Sequence, residues 1–73
     1  MKTKDFIDTA TAYSERNNLR LGQSMWNIAS GQFGEIVVRR VVEDRVTLCD
    51  PFYNDNLIPD FIYALESAGL LEK

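Results

Sequence analysis

The sequence contains no histidine and only one cysteine, Cys49. The first absence removes the imidazole that most often activates a hydroxyl or thiol nucleophile, so Ser14, Ser24, Ser30, Ser67 and Cys49 lack the usual base. It also removes the common zinc ligand sets, and a lone thiol cannot close an internal disulfide. The chain must therefore hold by packing, and Cys49 beside Asp50 reads as an inert core thiol, because a neighbouring carboxylate disfavours the thiolate.

Long apolar runs are missing too. Nothing approaches the roughly 20 apolar residues that cross a bilayer, and Met1 to Asp8 lacks the apolar core of a signal peptide. A cytoplasmic protein without membrane association is expected. Glycines 31 and 34 flank Gln32 and Phe33 without the pattern of a phosphate-binding loop and read as a helix break. Asp50, Asp55 and Asp60 lie five apart, without the spacing and glycine of a calcium loop, so turn and helix-cap duties explain them better. These absences argue against an enzyme and predict no catalytic, cofactor-binding or metal-binding residues.

What remains is an ordinary globular balance of 45% hydrophobic and 26% charged residues over 73 positions, which predicts one domain spanning 1–73. A domain this small buries only about 60% of its unfolded surface, so its stability margin is thin. Net charge is −3, too mild for broad nucleic-acid binding. Five acids (Asp50, Asp55, Asp60, Glu66, Glu72) against one base follow Cys49, so any acidic face belongs to the last third.

Helical periodicity organises most of the chain. Phe6, Ile7, Ala10 and Tyr13 form one stripe between Thr3 and Arg16, with Thr3 as N-cap, Asp5 and Asp8 at the positive end of the dipole, and Asn17-Asn18 as the stop. A second helix is predicted from Leu21 to Ser30, ended by Gly31. It buries Leu21, Met25, Ile28 and Ala29, with Trp26 as a central packing element whose indole N–H needs a partner. Residues 33–49 are ambiguous: Val37 with Val41 and Val38 with Val42 have helical spacing, yet β-branched residues around Glu43-Asp44-Arg45 suit a hairpin into Val46-Thr47-Leu48. Helix from Gly34 to Val42 is the favoured reading.

Asp50 to Asp55 is dense in turn formers, with Asp50 able to accept from the following amides. A last helix is expected from an Asn56 N-cap, with Pro59 in its first turn and Leu57, Ile58, Phe61, Ile62, Leu65 and Ala68 buried. Gly69 is its left-handed cap, and Leu70 folds back on the final turn. The fold class predicted is mostly α, a small bundle of three to four short helices, the alternative being α+β with a small hairpin within 36–49.

Two groups of residues stand out. Gln23 and Asn27 lie four apart on one helical face and Gly22 admits a close backbone. The expectation is that these amides pin the loop containing Asp50, Pro51 and Phe52, with Arg20 pairing with Asp50 or Asp55. Tyr53, Asp55 and Asp60 are interaction candidates, with Phe52 completing the core and Tyr53 more exposed. Arg39, Arg40 and Arg45 form the one basic cluster.

The positions Arg20, Gly22, Gln23 and Asn27, then Asp50, Pro51, Phe52, Tyr53 and Asp55, then Ile58, Pro59, Phe61 and Leu65 resemble small bacteriophage and prophage proteins. In these an arginine, a glycine-glutamine pair and a downstream asparagine precede an Asp-Pro-Phe-Tyr turn and a short final helix. The likeness covers roughly Leu19 to Leu65, with a linking segment a few residues longer here. No biochemical activity is assigned to that group, so no functional residue carries over. The resemblance implies a viral accessory protein of an infected or lysogenic bacterium that binds a host defence or metabolic protein, or a viral one, and a homodimer is left open. The alternatives are an acidic nucleic-acid mimic and a small nucleic-acid binder using Arg39, Arg40 and Arg45.

Overall fold

A computed structural model describes residues 1–44 and 49–73. In chain order they form α1 (Thr3–Asn17), α2 (Leu21–Phe33), α3 (Glu35–Glu43), a short 3-10 turn (Asp55–Leu57) and α4 (Ile58–Ser67). No strand occurs among the described residues beyond one isolated bridge between Lys2 and Glu72. The mostly helical reading holds. The hairpin within 36–49 is excluded for its first half, where α3 runs, while its second strand (Val46-Thr47-Leu48) and Arg45 lie outside the described residues.

The core joins all four helices through Phe6, Ala10, Met25, Ala29, Val38, Phe61 and Leu65, with Leu71 closing one end. Small residues set the α1–α2 approach: Ala10 and Ser24 are both fully buried, and the Ser24 hydroxyl donates to the Ala10 carbonyl. Burying that hydroxyl is tolerable only because it has this acceptor. Val38, Val41 and Val42 turn the inner side of α3 to the core, while Ile36 and Val37 stay exposed.

Helix ends follow the predicted residues in part. Asn18 stops α1 in the left-handed conformation (φ 54°, ψ 47°), its N–H bonded to the Ser14 carbonyl. Thr3, in contrast, is not the N-cap. Lys2 takes that position without a side-chain cap, and Thr3 is already helical. Its N–H, one of the orphan donors of a helix start, goes to the Glu72 carbonyl at 2.7 Å, and its hydroxyl donates to Glu66 Oε2 at 2.7 Å. The Glu72 N–H returns to the Met1 carbonyl at 2.9 Å, so the segment after α4 is bonded to the start of α1.

Gly31 does not end α2. The chain stays helical to Phe33, whose ring packs against the core, and the break falls at Gly34, with φ of 94°. Glycine inside a helix costs only about 1 kcal/mol, which one anchoring phenyl ring offsets; the positive φ at 34 interrupts the helix outright. α4 likewise starts later than expected. Asn54, not Asn56, caps the preceding 3-10 turn, its side chain accepting from the Asn56 N–H at 2.9 Å. Ala64 rather than Ala68 is buried on α4, and Ala68 is exposed. Gly69 (φ 80°) ends the helix as expected, with Gly69 N–H bonded to the Glu66 carbonyl and Leu70 N–H to the Leu65 carbonyl, each at 3.0 Å. This is a Schellman ending, but Leu71 goes deepest while Leu70 is only partly buried.

Candidate binding cleft

The cleft is built on a loop clamped to the start of α2. Within the loop, Asp50 Oδ1 accepts from the Phe52 N–H at 2.9 Å, as predicted for this turn, and the Asn54 N–H bonds to the Pro51 carbonyl at 3.2 Å. Cys49 and Pro51 are buried beneath it. The loop then meets a helix with no cap of its own, since Arg20 sits at the N-cap of α2 without a side-chain cap bond. The missing acceptor comes from 33 residues along the chain: Asp55 Oδ1 takes the Gly22 N–H at 3.0 Å. A carboxylate at that place satisfies an orphan donor and suits the positive end of the helix dipole. Arg20 adds two contacts, to Asp55 Oδ1 at 3.2 Å and to the Phe52 carbonyl.

Pinning by Gln23 and Asn27 is therefore corrected. Among the described residues neither amide makes a hydrogen bond, and the clamp consists of Arg20, the Gly22 backbone and Asp55. The physical reason is that α2 offers N–H groups, which need an acceptor, at the spot the loop reaches. Asp55→Ala should thus cost about 1–2 kcal/mol, the worth of charged hydrogen bonds reduced because both partners are nearly half exposed. Asn27→Ala should change stability by less than about 0.5 kcal/mol. Urea unfolding of the two variants side by side checks this, and the reverse ranking would restore the amide pin.

With the loop held there, Asp50, Phe52 and Tyr53 face the outer sides of α2 and α3 across a cleft of about 440 Å³. α2 contributes Trp26 and Asn27, and α3 contributes Glu35, Arg39, Val42 and Glu43. Phe52 and Tyr53 meet edge to face, centroids 4.7 Å apart at 70°. Tyr53 is 85% exposed, whereas Phe52, expected in the core, is only partly buried and lines the cleft. Trp26 rests on Phe61 with centroids 5.9 Å apart. Its ring is only partly buried, and its indole N–H has no hydrogen bond among the described residues, contrary to expectation. Arg39 Nε and Nη2 hold Glu35 Oε1 at 3.1 and 2.9 Å across one helical turn.

Of the predicted site residues, the cleft gathers Tyr53, Phe52, Asp50, Asn27 and Arg39. Arg20, Gly22 and Asp55 form the clamp beneath, with Pro51 lying close over Gly22. Asp60 stands exposed in the first turn of α4, away from the lining. Arg40 lines a separate groove of about 290 Å³ with Ile36, Val37, Val41 and Asp44, and Arg45, the third arginine of the predicted cluster, lies outside the described residues. Sequence reasoning missed Trp26, Glu35, Val42 and Glu43 as lining residues. The spacing of Glu35, Arg39 and Glu43, four apart on α3, was the available signal.

Among the described residues no group of three or more acidic, cysteine or histidine side chains could hold a metal ion, and no helix is long and apolar enough to cross a membrane. No protein-family model matches the chain, nor does any curated protein or solved structure.

Proposed function

We propose that the protein is a small interaction module of phage type, working in the cytoplasm of an infected or lysogenic bacterium, that binds a host or viral protein through the cleft between α2, α3 and the Asp50–Tyr53 loop. The observation that carries this reading is the aromatic wall. Tyr53 is 85% exposed at the rim of a cleft that Trp26 and Phe52 also line, on a loop held by ionic and backbone hydrogen bonds. Aromatic side chains that lose little conformational freedom on binding are the usual energetic anchors of interfaces. In this reading the protein catalyses nothing; it occupies or redirects its target. A nucleic-acid surface needs several free cations in reach of one phosphate backbone, and Arg39 is already paired with Glu35.

Affinity capture from bacterial host lysate, nuclease-treated, at low and moderate salt, tests the proposal. One protein retained stoichiometrically at both salts is expected. Nucleic acid lost on raising salt would overturn it.

A further inference from the structure

Resting on that reading, we infer that the cleft receives the guanidinium of an arginine presented by the partner protein. Among the described residues, three carboxylates (Glu35, Glu43, Asp50) and three aromatic rings (Trp26, Phe52, Tyr53) line it against one cation, Arg39, which Glu35 already engages through two nitrogens. The remaining groups are unspent. Glu43 has no ion pair or hydrogen bond among the described residues, and Asp50 uses one oxygen on the Phe52 N–H, leaving the other. Asn27, partly buried at the cleft wall, likewise lacks a hydrogen bond among the described residues, so its carbonyl oxygen is ready to accept.

The chemistry of these groups selects the ligand. A guanidinium is a flat cation with five donors and no acceptor, so it can stack on aromatic faces while donating in its plane to carboxylates and an amide oxygen. An anionic ligand would meet Glu43 and Asp50. A purely apolar one would leave Asn27 and both carboxylates desolvated without partners. The cleft volume of about 440 Å³ takes a long side chain with its backbone left at the rim.

The test uses L-argininamide and L-citrullinamide, a near-isostere with the same α-amino group but an uncharged side chain, as probes on the full chain, followed by nitrogen–proton correlation spectra. Trp26 is the only tryptophan, so its indole signal is unambiguous, and the Asn27 side-chain amide is the second reporter. Argininamide should shift both signals along a saturable curve at about millimolar concentration, and citrullinamide should not. Glu43→Gln should weaken the titration roughly threefold, the scale of one ion pair open to solvent, and both Glu43 and Tyr53 are exposed, so their variants fold. Equal shifts with citrullinamide, no shift at all, or an unchanged titration in Glu43→Gln together with Tyr53→Ala would each overturn the inference. If argininamide fails while capture of a protein still requires Tyr53, the arginine assignment falls and the interaction reading stands; argininamide binding without any captured protein reverses that outcome.

Discussion

Gly22→Ala should be among the most destabilising single-methyl additions available in this chain, lowering stability by about 2–4 kcal/mol. A Cβ at position 22 would lie 2.2 Å from the Pro51 carbonyl oxygen and 2.6 Å from Asp55 Oδ1. The first neighbour is backbone and cannot rotate away, so the loop must lift from α2. Lifting it stretches the Asp55 bond to the Gly22 N–H and the Arg20 bonds to Asp55 and Phe52. Alanine's better helix propensity returns only about 1 kcal/mol. Gly31→Ala is the matched control: it sits inside the same helix with nothing within 4 Å of its added methyl, so it should gain about 0.5–1 kcal/mol. Thermal unfolding should move Tm in opposite directions for the two variants, down by about 10–20 °C for position 22 and up by a few degrees for position 31. Equal behaviour would mean that the loop is not seated on α2.

Phe61→Ala should cost about 3–5 kcal/mol, the usual loss when a buried aromatic ring leaves a cavity. Phe61 is completely buried, central to the core cluster, and supports Trp26 from below. A domain of 73 residues has a total stability of roughly 4–11 kcal/mol, so the variant should be close to unfolding at physiological temperature. The loss also reaches the site, because Trp26 walls the cleft. Calorimetry or denaturant titration reads the stability, and Trp26 emission reports whether the wall has moved. A loss under about 1 kcal/mol would contradict the described core.

The elements were legible where a local preference decides the backbone. Asn18 tolerates the left-handed conformation and does stop α1; Pro59 fits a first helical turn and lies in one; Gly69 has the positive φ its position needs. The valine-rich segment, ambiguous by periodicity and favoured as helix partly on the resemblance, is helical from Glu35 to Glu43. What could not be read was which distant group completes an exposed helix end. Thr3 is a reasonable N-cap on its own, but Glu72 reaches its N–H first, and Asn54 rather than Asn56 sits at the turn that starts the last helical stretch. The same limit governs the candidate site. Residue type at Gln23 and Asn27 suggested amides holding the loop, whereas the uncapped start of α2 drew in Asp55 instead. Arg20, Gly22 and Asp55 were legible as members of one motif, and Tyr53 as its exposed aromatic. The acidic wall from α3 was not, because it depends on where Gly34 turns the chain, and Gly31 was the competing choice.

We propose the Trp26–Phe52–Tyr53 cleft as the surface through which the protein acts. It is tested most directly by quantitative capture from nuclease-treated host lysate with three baits: the unmodified chain, Tyr53→Ala, and Tyr63→Ala. Both tyrosines are exposed, at 85% and 56%, but Tyr63 lies on α4 and does not line the cleft. One protein should be retained by the unmodified chain and by Tyr63→Ala at moderate salt, and reduced about tenfold or more with Tyr53→Ala, the loss expected of an interface anchor. Equal retention by all three baits would contradict it.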